Sequence, residues 1–119
     1  MPEELATRGA SYDQCPKIVI AGSEADFGPI SVNLIEQFEI QPLWTSILAS
    51  RPYHIWYASG YLRVMFYDHE DADSPIATLL VNASGAAHIA DSTEPRRYFC
   101  PGLHELLIQH LEKEAARGG

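Results

Sequence analysis

Apolar positions along this chain recur with two different periods, and the changes from one to the other mark its elements. Residues 17–21 (Lys-Ile-Val-Ile-Ala) form a short β-type run closed by Gly22-Ser23. A turn-rich stretch then leads to residues 30–34, which alternate apolar and polar. Pro42 stands where a first helical residue is expected, and Trp44, Ile47 and Leu48 follow at helical spacing. These residues predict a short amphipathic helix over 41–50, stopped at Arg51-Pro52 because proline disfavours the α region in the residue before it.

From there the period falls to two. Residues 53–58 and 61–67 are aromatic and β-branched runs separated by Ser59-Gly60, which fits a two-residue hairpin turn. Residues 76–82 and 86–90 are joined by Ala83-Ser84-Gly85, with glycine at the position that wants a left-handed conformation. The polar loop 68–75 lies between the two pairs. Each turn fixes a register: Tyr53 faces Phe66, Ile55 faces Val64, Val64 faces Leu79, Leu62 faces Val81, Val81 faces Ala87 and Leu79 faces Ile89. One face then carries Tyr53, Ile55, Tyr57, Leu62, Val64, Phe66, Ala77, Leu79, Val81, Ala87 and Ile89, without a charge. A slip of one residue at any turn would scramble that set, so the turns together predict a four-stranded antiparallel meander.

The helical period returns at the C-terminus. Leu103, Leu106, Leu107, Leu111 and His110 share one face of a helix running from Pro101 to about residue 116, and that stripe suits the apolar face of the sheet. The expected fold class is α+β: an antiparallel β-meander of four or more strands, a C-terminal amphipathic helix packed on one face, and a short helix before the meander. Residues 1–16 lack apolar periodicity and read as a flexible arm. Residues 17–116 form the single domain, and residues 117–119 read as a frayed end.

Composition narrows the functional classes. A chain of 119 residues, 46% hydrophobic and 20% charged, is a single globular domain rather than a disordered or fibrous one. It has no apolar run of membrane-spanning length and its N-terminus has no secretory pattern, so a cytoplasmic protein is expected. Sixteen acids against eight bases leave a net charge of −8. Nucleic acid and anionic membrane are poor partners for that field, and a basic protein surface is a better one.

The face opposite the apolar one holds the candidate chemistry. In the same register it carries His54, Trp56, Tyr61, Arg63, Met65, Tyr67, Leu80 and His88. A face meeting only water would carry more Lys, Glu and Ser. Trp56, Arg63, Leu80 and His88 are expected in one row, with Arg63 in cation–π reach of Trp56. Tyr, Trp, Met and Arg are the types enriched at protein interfaces. Beside this face the loop 68–75 supplies Asp68, Glu70, Asp71 and Asp73. It lacks the glycine and terminal glutamate of an EF-hand, so a solvated loop that steers a basic partner is expected rather than a metal site.

Little else points to catalysis. No phosphate loop, HExxH or GxSxG motif occurs, Glu36 and Glu39 have no defensible acid–base pairing, and no cofactor is expected. Cys15 and Cys100 each precede a proline. Such steps occur in haem-responsive proteins, but a two-residue motif recurs by chance. At the start of the last helix a Cys100 thiol can have a lowered pKa, with His104 one turn on; a buried apolar thiol is the simpler reading. Asn82-Ala83-Ser84 fits a glycosylation sequon, without relevance in the expected compartment.

The leading expectation is therefore a non-enzymatic, acidic protein-binding module, of the kind represented by inhibitors, immunity proteins and chaperones. Its aromatic sheet face would anchor a basic protein partner and its acidic loop would steer encounter. The alternative is a small-molecule-binding protein or enzyme with a pocket over the same face, using His54, Arg63 and His88. A third arrangement has the face covered by the short helix, by the first strands, or by a second subunit in a homodimer.

Overall fold

Strand alternation in the middle of the chain sets the architecture. The computed structural model describes residues 3–22, 30–53, 61–92 and 97–118. In strand β4 (Leu62–Tyr67), Leu62, Val64 and Phe66 are buried while Arg63, Met65 and Tyr67 point the other way. Strand β5 (Ala77–Val81) buries Ala77, Leu79 and Val81, and strand β6 (Ala86–Ile89) adds Ala87 and Ile89 to the same side. The pairings Val64↔Leu79, Leu62↔Val81, Leu79↔Ile89 and Val81↔Ala87 are those the turns dictate.

The turn between β5 and β6 is held by one side chain. Asn82, which is 2% exposed, accepts hydrogen bonds at Oδ1 from the Ser84 N–H (3.0 Å), the Ser84 hydroxyl (2.6 Å) and the Ala86 N–H (3.1 Å). Gly85 follows at φ +90°, and a Cβ there would stand 2.9 Å from the Phe99 ring. Both conformation and space therefore call for glycine. The burial of Asn82 is also incompatible with a sugar on that sequon.

Around this core the chain departs from the expected order. Strand β1 (Lys17–Ala21) occupies the free edge of β4, with Ile18↔Phe66 and Ile20↔Val64, and both isoleucines are fully buried. A strand has two edges, and those of β4 are taken by β1 and β5, where the expected partner of β4 was the run 53–58, of which residues 54–58 lie outside the described residues. Strand β3 (Arg51–Pro52) pairs instead with β7 (Tyr98–Phe99) at the far side of the sheet. Tyr53 donates its backbone N–H to the Arg97 carbonyl (3.0 Å) and packs its ring on Phe99 at 5.6 Å, rather than facing Phe66. Ile55 and Tyr57 lie outside the described residues. Strand β2 (Ser31–Leu34) pairs on β1. The sheet has seven antiparallel strands in the order β2-β1-β4-β5-β6-β7-β3.

Helices cover the apolar face. Helix α2 (Gln37–Leu48) buries Ile40, Leu43, Trp44 and Ile47, spaced as one helical stripe, and Trp44 stacks on Phe66 of β4 at 5.0 Å. It begins four residues before the expected start, so Pro42 sits inside it. Proline lacks the N–H that would bond the Phe38 carbonyl, and this is tolerated on a turn where Phe38, Gln41 and Pro42 all face solvent. Helix α3 (Leu103–Gly118) lies over β1 and β2 and buries Leu103, Leu107 and Leu111 completely. It starts two residues after Pro101 and continues through Gly118, past the expected end. The Ser46 hydroxyl donates to the Pro101 carbonyl (2.6 Å), tying α2 to the lead-in of α3.

The N-terminal segment is packed rather than loose. Helix α1 (Glu3–Thr7) buries Leu5, and Ala10 and Cys15 join the same core cluster. Arg8 pairs with Glu4 at 2.8 Å, and Glu4 accepts a 2.7 Å hydrogen bond from Ser92 beyond β6. Single apolar residues at irregular spacing give no periodic signal, which is why this docking is invisible to pattern reading. Among the described residues no helix is long and apolar enough to cross a membrane.

Candidate functional site

The outer sheet face follows from the same alternation. Because Leu62, Val64 and Phe66 point into the core, Arg63, Met65 and Tyr67 point out; the same logic turns Thr78, Leu80 and His88 outward. Both main helices sit on the other side, and the first strands extend the sheet in its own plane instead of crossing this face. Arg63 is exposed, and Tyr61, Met65, Tyr67, Leu80 and His88 are half-buried.

The row through Arg63 differs from the expected one. Arg63 stands between Ala21 of β1 and Leu80 of β5, and Leu80 faces His88. Ala21 thus occupies the cross-strand position assigned to Trp56, since β1 took that edge of β4. His54 and Trp56 lie outside the described residues. Tyr61 meets His88 edge-on at 5.7 Å. Burial lowers the His88 pKa below its ordinary value, and the nearby Arg97 charge adds to that shift.

At the other end of β4 the sheet meets the acidic loop. Lys17, the first residue of β1, pairs with Tyr67, and its ammonium stands 4.8 Å from the ring centre. The same ammonium donates to the Glu70 backbone carbonyl at 3.2 Å. One lysine therefore fastens the loop to the face. It does so through a carbonyl, and the side chains of Asp68, Glu70, Asp71 and Asp73 remain exposed. Asp68 approaches His69 at 3.9 Å, an ion pair when that exposed imidazole is protonated. Among the described residues no three His, Cys, Asp or Glu side chains converge to hold a metal ion.

The cysteines are set apart from this chemistry. Cys100 is fully buried and its thiol is pushed up to about 12 by desolvation. It does not cap α3, which begins three residues later, so the helix terminus does not lower its pKa. Cys15 is buried and raised as well, chiefly by desolvation. Thiols so placed are poor thiolate donors to iron or to a substrate.

A further feature lies at the edge of the sheet. A groove of about 340 Å³ runs between β2 and the C-terminal half of α3, lined in part by Asn33, Glu39, His110, Lys113, Glu114 and Arg117. Residues 110, 113, 114 and 117 share one helical face, a signal present in the sequence. Their meeting with β2 depends on long-range pairing. Compared with known proteins, the chain matches no family model, no curated protein and no solved structure.

Proposed function

We propose that this protein is an acidic binding module that docks a basic protein partner across the outer sheet face and the loop beside it. The carrying observation is the Lys17 clasp. It ties the loop that carries four exposed carboxylates to the Tyr67 end of β4, and it does so through a backbone carbonyl, with no acidic side chain spent on the contact. Tyr61, Arg63, Met65, Tyr67 and His88, with His54 and Trp56 from the sequence, supply the anchors that exclude water. Asp68, Glu70, Asp71 and Asp73 steer the encounter, helped by the net charge of −8. The analogy with inhibitors, immunity proteins and chaperones is one of size and charge.

Surface charge acts mainly on association, and desolvated anchors act mainly on dissociation. Replacing the four carboxylates by their amides should slow association at low salt by about tenfold and flatten its salt dependence. Tyr67→Ala should leave the association rate near wild type and speed dissociation. Association rates that the amide variant leaves unchanged contradict the steering role.

A small-ligand site over the same face, using His54, Arg63 and His88, is the second reading. The half-buried His88 with its depressed pKa favours it. Its test is the His88 titration followed by NMR with and without candidate ligands, in which a ligand-sensitive midpoint supports a pocket.

A further inference from the structure

The two edges of the sheet are built differently. One ends in β3, two residues long, with Arg51 and Pro52 both exposed; a proline offers no N–H and a charge resists pairing. The other ends in β2, Ser-Val-Asn-Leu, with neither proline nor charge. No strand among the described residues pairs on its outer side.

The ladder shows which groups that side presents. Gly22 donates to the Ile30 carbonyl, so this pair is hydrogen-bonded. Antiparallel pairs alternate, which makes Ile20↔Val32 and Ile18↔Leu34 the hydrogen-bonded pairs that follow. Ser31 and Asn33 are then the residues whose backbone N–H and C=O point away from β1, toward the open edge. Val32 faces the helix layer but stays half exposed, because no strand lies beyond it. Just past the strand, Ile35 is 54% exposed and Phe38 is 74% exposed.

Charge selects the occupant. The groove beside β2 holds two acids, Glu39 and Glu114, and two bases, Lys113 and Arg117. Its formal charge is zero, so the whole excess of eight negative charges lies elsewhere. A balanced groove of this kind favours neither a basic nor an acidic peptide, and under a two-fold axis it offers acids to the bases of its own copy. It is a place where two copies of a strongly acidic chain can meet without mutual repulsion.

We infer that β2 pairs antiparallel with β2 of a second copy, joining two seven-stranded sheets into one across a two-fold axis. Ser31 and Asn33 supply the main-chain hydrogen bonds, Val32 of each copy is covered, and Ile35 and Phe38 flank the seam. This surface is separate from the outer face and the acidic loop.

Sedimentation velocity over a rising concentration series tests it. Wild type should move from the 13.2 kDa monomer toward twice that mass. Asn33→Pro removes an N–H that β1 does not use, and should weaken association by about tenfold or more while circular dichroism stays native. Asn33→Lys keeps every N–H and places like charges across the seam; it gives the same reading should the proline variant fail to fold. Wild type that is monomeric at every concentration overturns the inference. So does a dimer that folded Asn33→Pro or Asn33→Lys leaves undiminished.

Discussion

Asn82 shows how much one side chain can fix. Its carboxamide oxygen takes three donors at the β5–β6 turn, in a site from which water is excluded. Truncating it leaves the buried Ala86 N–H without that acceptor, so Asn82→Ala should destabilise by about 1–3 kcal/mol, read as a lower urea midpoint at unchanged slope. A midpoint equal to wild type would show that the turn closes without the side chain. The histidines carry a sign that can be checked. His88 and His110 both titrate below their ordinary value when folded, each chiefly through burial. Above about pH 6.5 they are neutral in both states and native stability is complete. As pH falls below the unfolded value, the unfolded chain binds protons first, and stability drops until the folded value is passed. Replacing both by glutamine should flatten the stability profile on the acid side of about pH 6.5; an unchanged slope there would mean that the imidazoles are not shielded.

Elements form where local chemistry and long-range pairing agree. Helix α2 contains a proline in its interior, opposite the buried stripe of Ile40, Leu43, Trp44 and Ile47. Pro42→Ala restores the bond to the Phe38 carbonyl and should stabilise by about 1–2 kcal/mol, less than the full helix-interior penalty because the unfolded chain also gains freedom. A lower melting temperature would show that Pro42 packs in a way its exposure conceals. Much of the meander is legible in the sequence: β4, β5 and β6 alternate, the three-residue turn before β6 sets one register, and symmetric closure of the loop 68–75 gives the other. The pairing of β1 on β4 was not legible. Ser59-Gly60 looks like a hairpin turn, and no local feature announces that a strand more than forty residues upstream takes that edge. Pro42 is ambiguous in a related way, since a residue favoured at a helix start is also tolerated on the exposed side of a helix interior. Once β1 is misplaced, Arg63 is given Trp56 as neighbour instead of Ala21.

At the scale of the molecule, one layer of helices leaves the two sides of the sheet with separate tasks. Trp44, Leu103, Leu107 and Leu111 close the core on one side. On the other, Arg63, Met65 and Tyr67 point outward, and Lys17 ties the acidic loop to the Tyr67 end of the strand. The loop and its neighbouring aromatic residues were legible in the sequence, because both lie on one continuous stretch of chain. The Lys17 clasp and the groove beside β2 were not, since each joins residues brought together only by the order of strands. Everything proposed for the outer face rests on its docking a basic protein. Native capture from a lysate of the source organism tests it most directly, comparing wild type with the variant in which Asp68, Glu70, Asp71 and Asp73 are replaced by their amides. Wild type should retain one basic protein in stoichiometric amount, and the amide variant should lose it or hold sharply less. A basic partner that the amide variant holds equally well, or an eluate empty for both, would contradict it.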